Sequence, residues 1–142
     1  MKKEDKVSKI MTEDVITVDI NDSLQEVNNV FRQVKIRHIP VMAQNTLIGI
    51  ISQTDILRIS FGSSFGEDQL DADEAIFDML SVNQVMKHSP VTVSADQTIL
   101  GAAKIFANNE FHALPVTRDN ELVGILTTTD ILKYFIEELK VS

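Results

Sequence analysis

Apolar and polar positions fall into blocks along the chain, and the blocks predict a definite order of elements. Val15 to Val18 is a short β-branched run that reads as a strand. Leu24, Val27, Phe31 and Val34 then recur at helical spacing and mark one apolar face. Asp22-Ser23 opens that helix, and Ser23 with Glu26 has the spacing of a capping box. Ile39-Pro40-Val41-Met42 and Leu47-Ile48-Gly49-Ile50-Ile51 are nearly all apolar, as strands covered on both faces are. Gln44-Asn45 between them predicts a tight turn. Ser52 to Asp55 starts a last helix.

The same order then occurs again. Val7 to Arg58 lies on Val82 to Lys133 without a gap. Met11 falls on Met86, Phe31 on Phe106, Pro40-Val41 on Pro115-Val116 and Gly49-Ile50 on Gly124-Ile125. The run Thr54-Asp55-Ile56-Leu57 falls on Thr129-Asp130-Ile131-Leu132. An ungapped duplication means two copies of one folding unit. The expected fold class is α/β of the α+β type, with two βαββα repeats packed around a pseudo-two-fold axis and two equivalent clefts. Residues 1–60 and 82–142 are the repeats, and 61–81 is a connector. Each copy alone is near the size at which a core becomes marginal, which predicts one shared core. Within the connector, Phe61 to Gly66 reads as a loop. Asp71 to Leu80 reads as a helix with Ala75, Ile76, Met79 and Leu80 facing inward, and acidic residues at its start favour it. Ile131 to Lys140 extends the final helix, with Phe135, Ile136 and Leu139 on an apolar face.

Composition narrows the function classes. The chain has 142 residues, 44% of them hydrophobic, as a packed globular module requires. No apolar run is long enough to span a bilayer. The charged first residues are followed by no signal-peptide core. Cysteine is absent, which excludes disulfides, thiol catalysis and thiolate metal sites. These features predict a cytoplasmic location. Net charge is −8, with Glu67, Asp68, Asp71, Asp73, Glu74 and Asp78 all in the connector. Nucleic acid requires a basic stripe that neither repeat carries. An anionic membrane would repel the chain. No nucleic-acid or membrane partner is expected.

The most specific local pattern is Gly49-Ile50-Ile51-Ser52-Gln53-Thr54-Asp55 and its twin, Gly124-Ile125-Leu126-Thr127-Thr128-Thr129-Asp130. With Pro40-Val41 and Pro115-Val116 upstream, each repeat resembles a CBS domain, and the pair resembles a Bateman module. The resemblance covers nearly the whole chain outside the connector and tails. It implies that Asp55 and Asp130 receive ribose hydroxyls and that Ser52, Thr54, Thr127 and Thr129 meet phosphate or ribose. Ile16, Ile39 and Ile51 in one copy, and Val91, Leu114 and Leu126 in the other, would line an adenine slot. The chemistry agrees. A carboxylate accepts both hydroxyls of a cis-diol, free N–H groups at a helix start suit phosphate, and a flat apolar slot suits a purine. A second reading stands beside this one. Ser52-x-x-Asp55 and Thr127-x-x-Asp130 are also capping boxes, which need no ligand.

A phosphate also calls for cations, and the family often places basic residues just before the Pro-Val strand. The candidate phosphate contacts are Lys35, Arg37 and His38 in the first copy and His112 in the second. Glu110 takes the place of Lys35 and would repel a phosphate. The copies therefore differ in the phosphate count they accept, or in whether they bind at all. Such basic residues are also often no more than solvated helix ends. The three histidines lack metal-pair spacing, and the connector lacks the order of a calcium loop, so no metal site is expected. Met11 and Met86 read as core filler. No nucleophile, base and orienter set is present. No catalytic residue is expected, and the chain is not expected to be an enzyme.

The resemblance implies a stand-alone regulatory sensor without a further cofactor. Its ligand would be AMP, ADP, ATP or S-adenosylmethionine, in one or both inter-repeat clefts. It would signal to an effector protein of unknown identity. It would pair as a homodimer through Ile56-Leu57-Ile59 and Ile131-Leu132-Phe135. Two alternatives stay open: a ligand-free dimerisation or scaffold module, and a divalent-cation sensor built on the acidic connector.

Overall fold

The computed structural model describes residues 3–60 and 75–141. These form two compact units whose borders differ from those of the repeats. One unit is Ile16–Ser89; the other joins Met1–Val15 to Pro90–Ser142. The lead-in to each repeat therefore folds with the body of the other.

The first unit contains β1 (Val18–Asp19), α1 (Leu24–Gln33), β2 (His38–Ala43), β3 (Thr46–Ser52), α2 (Gln53–Ile59), α3 (Val82–Val85) and β4 (Lys87–His88). Its sheet runs β1-β2-β3-β4. β1 lies parallel to β2, with Val18 beside Val41. β2 and β3 form an antiparallel hairpin that sets His38 opposite Ser52 and Pro40 opposite Ile50. β4 closes the sheet, with His88 opposite Gly49. Ser23 caps α1 by accepting the Glu26 N–H at 3.0 Å, so one half of the expected box forms. The helix buries Leu24, Val27 and Phe31, as its apolar spacing requires. Gln44 (φ 49°) and Asn45 (φ 67°) make the hairpin turn. Two successive left-handed residues give the turn whose twist matches that of paired strands.

The second unit contains β5 (Val93–Ser94), α4 (Ile99–Ala107), β6 (Ala113–Arg118), β7 (Glu121–Thr127) and α5 (Thr128–Val141). Its sheet runs β5-β6-β7. Asp119 (φ 53°) and Asn120 (φ 66°) repeat the hairpin turn. Both hairpins carry a register shift at the same place, between Val41 and Met42 and between Val116 and Thr117. A 3-10 turn at Val7–Lys9 joins this unit from the N-terminal side. Val7 N–H donates to the Gln97 carbonyl at 2.8 Å, and Thr12 and Ile125 exchange backbone bonds at 2.9 and 3.0 Å.

Each unit has its own core cluster, in place of the single shared core expected. Ile39, Val41, Ile51 and Ile56 surround Val82, which is 0% exposed. Leu114, Val116, Leu126 and Ile131 surround Val7, also 0% exposed. Each lead-in thus supplies a fully buried valine to a core otherwise built mainly from the other repeat. The repeats depend on each other through exchanged chain.

Three local expectations change. The first strand is shorter than Val15 to Val18, because Ile16 and Thr17 are exposed and pairing begins at Val18. Residues 75–79 are helical, but Phe77 is the buried residue, whereas Ala75 and Met79 are exposed. The acidic residues 67, 68, 71, 73 and 74 and the loop before them lie outside the described residues. Ile56 and Ile131 turn into the cores, so the last helices do not present whole apolar triplets. Successive helical residues point about 100° apart, and Leu57 and Leu132 are the ones left exposed. Ile136 and Leu139 extend that exposed face along α5. Among the described residues no helix is long and apolar enough to cross a membrane.

Candidate functional site: the strand-to-helix junctions

β3 passes into α2 without a loop, and β7 passes into α5 in the same way. Reciprocal bonds close each junction. Ser52 N–H donates to Asp55 Oδ2 at 2.9 Å, and Asp55 N–H donates to Ser52 Oγ at 3.0 Å. Thr127 N–H donates to Asp130 Oδ2 at 2.9 Å, and Asp130 N–H donates to Thr127 Oγ1 at 3.2 Å. The capping geometry is thus complete in both copies. It engages one oxygen of each carboxylate and leaves Oδ1 as the second acceptor. Asp55 is 6% exposed, and its Oδ1 lies 3.6 Å from the Arg58 guanidinium. Asp130 is half-buried and makes no ion pair among the described residues. Thr54 and Thr129 are exposed.

The first residues of β2 and β6 flank these junctions. The Arg37 carbonyl accepts the Gln53 N–H at 2.8 Å, and the His112 carbonyl accepts the Thr128 N–H at 3.0 Å. His38 pairs across the ladder with Ser52, and Ala113 with Thr127. Parallel pairing of Val18 with Val41 and of Val93 with Val116 sets Ile16 and Val91 at the same sheet ends. Ile16 is 38% exposed and Val91 51%. Lys35 and Arg37 are exposed, as are Glu110 and His112.

The apolar slot is corrected by burial. Ile39, Ile51, Leu114 and Leu126 are fully buried in the two cores and present no surface to a ligand. The physical reason is the two-residue period of a strand. Counted back from Ser52, Ile50 shares the hydroxyl's face and Ile51 faces the core; Ile125 and Leu126 divide in the same way before Thr127. Pro40 stands opposite Ile50 and Pro115 opposite Ile125, on that same face. On that face Ile50 keeps 9% exposure and Ile125 is half-buried, whereas Pro40 and Pro115 are themselves fully buried. Among the described residues no group of three or more His, Cys, Asp or Glu side chains is placed to hold a metal.

The family model described as the CBS domain matches residues 7–62 and 82–137. The chain is 28% identical to protein MJ1225 of Methanocaldococcus jannaschii over 88% of its own length and 45% of that protein's. A crystal structure of MJ1225 superposes with a TM-score of 0.77 over 95% of this chain and 49% of that one. CBSX2 of Arabidopsis thaliana superposes at 0.82 with 24% identity, covering 96% of this chain and 97% of CBSX2. CBSX2 has also been solved in complex with AMP. The CBS domain pair of protein MJ0100, in complex with 5-methylthioadenosine and S-adenosyl-L-methionine, superposes at 0.75 with 22% identity, covering 94% and 97%. Against several curated relatives the chain spans under half of their length, from 22% to 45%.

Proposed function

This chain belongs to the CBS domain family, in two tandem copies, and we propose that it is a regulatory module that senses an adenosine-containing ligand. The ligand class is AMP, ADP, ATP or S-adenosylmethionine. The observation that carries this reading is the state of the two motif carboxylates. Each spends Oδ2 on its own helix cap and keeps Oδ1 at the junction. A carboxylate held in this way is oriented in advance to accept a ribose hydroxyl. The Ser52 and Thr127 hydroxyls accept the aspartate N–H groups at the same junctions, and they and the exposed Thr54 and Thr129 are assigned to phosphate or ribose. Ile50 and Ile125, with the exposed Ile16 and Val91, are the apolar positions we assign to the purine. AMP on CBSX2 and S-adenosyl-L-methionine on MJ0100 support the ligand class.

A ligand acts on a partner only through unequal affinity for two arrangements of the protein. We assign the output to the exposed apolar face of α5, Leu132, Ile136 and Leu139, and to Leu57 of α2. A second copy of the chain is the contact proposed for that face, and a cytoplasmic effector receives the signal. The completed caps favour one rival reading, a ligand-free scaffold, because both junctions are satisfied as they stand.

A thermal-shift series with AMP, ADP, ATP and S-adenosylmethionine separates the two. A ligand that binds only the folded state raises the melting temperature in a concentration-dependent way. The sensor reading requires such a shift, lost when Asp55→Asn and Asp130→Asn are combined. A melting temperature unmoved by any of the four leaves the scaffold.

A further inference from the structure

We propose that Arg58 makes the first copy prefer adenosine ligands that carry a phosphate, while the second copy accepts those without one equally well. The inference rests on the ligand-sensing reading above. It starts from an inequality between the copies that the duplication does not predict. Arg58 Nη1 lies 3.6 Å from Asp55 Oδ1, the oxygen that the cap leaves over. In the second copy Lys133 stands at the matching position, and among the described residues it makes no ion pair with Asp130. Asp55 is 6% exposed and Asp130 is half-buried.

A ribose diol that takes that oxygen competes with the guanidinium for it. A carboxylate that is buried and loses its counter-ion is destabilised. A ligand without phosphate gives Arg58 no new partner. A 5′-phosphate on the same ribose does, because the guanidinium fork binds phosphate in two-point geometry. Arg58 is 70% exposed and therefore has room to make that move. The neighbouring charges point the same way. The first junction is flanked by Arg37 and His38 where the second has His112 and Ala113. Lys35 in the first copy is replaced by Glu110 in the second.

Calorimetric titration of the full chain with adenosine, AMP and ADP tests this. Asp130→Asn leaves the first copy and Asp55→Asn the second. Asparagine keeps an acceptor for the cap and removes the charge, and Arg58→Gln alters only an exposed side chain. In the Asp130→Asn chain, AMP and ADP should bind several-fold tighter than adenosine. Adding Arg58→Gln should shrink that ratio about two- to fivefold, the range of an exposed ion pair. In the Asp55→Asn chain the ratio should stay near unity, with or without Arg58→Gln. An unchanged ratio on adding Arg58→Gln to the first copy overturns the assignment, as does the same phosphate preference in the second. If none of the three compounds binds the unaltered chain, the sensor reading fails first and this inference falls with it.

Discussion

Met11 Sδ stands 2.6 Å from the point where a Cβ on Gly124 would sit, and Met86 covers Gly49 in the same way. The Thr12 carbonyl crowds the first position at 2.9 Å and the Lys87 carbonyl the second at 3.0 Å. The motif glycine and the recurring methionine are thus one feature. Each glycine leaves room for a lead-in that arrives from the other repeat. Gly124→Ala should destabilise the fold by about 1–3 kcal/mol, the usual cost of overpacking. Adding Met11→Ala should return part of that loss in a thermal melt. Strictly additive losses in the two substitutions would show that the contact does not couple them.

The exchanged lead-ins make a prediction about location. Val7 belongs to the core of the second repeat and Val82 to that of the first. Val7→Ala should cost about 2 kcal/mol, as buried truncations do. Its loss of amide-exchange protection should be largest in β6 and β7. Val82→Ala should act instead on β2 and β3. A Val7→Ala chain that loosens β2 and β3 first would contradict the exchange.

Cap and ligand roles of the motif aspartates separate by substitution. Asp55→Ala and Asp130→Ala should each cost about 1 kcal/mol of stability, because the reciprocal bond is lost. The asparagine variants should keep most of that stability, measured by denaturant unfolding, yet bind adenosine ligands more weakly. Equal binding by aspartate and asparagine would remove the carboxylate from the site.

The hairpin turns give a control that touches no ligand. Asn45 and Asn120 sit at φ 67° and 66°. A β-branched side chain is strained there, so Asn45→Val or Asn120→Val should lose about 1–3 kcal/mol. Glycine at either position should be tolerated. Comparable unfolding midpoints for the valine and glycine variants would refute the turn assignment.

What the sequence made legible was local. The α1 face of Leu24, Val27 and Phe31, the two hairpins and the junction helices follow from period, turn chemistry and caps. These act within a few residues. Burial takes Ile39, Ile51, Leu114 and Leu126 out of the expected apolar slot, and Ile51 and Leu126 stand one residue of strand register from Ile50 and Ile125. Ile51 and Leu126 are as apolar as Ile50 and Ile125, and only counting back from Ser52 and Thr127 tells the faces apart. The exchange of lead-ins was not legible. Val7 and Val82 are identical residues in matching contexts, so composition and spacing cannot say which core each one enters. The Asp55–Arg58 ion pair was hidden for a related reason. Arg58 and Lys133 are both cations, and only the three-dimensional placement shows that one pairs and the other does not.

The most direct test of the sensor reading is an NMR titration of the ¹⁵N-labelled chain with AMP. The predicted result is saturable shifts centred on the amides of Ser52 to Asp55 and Thr127 to Asp130, with smaller changes at Arg37 and His112. Amide positions that do not move at saturating AMP, or shifts confined to residues away from both junctions, would contradict it.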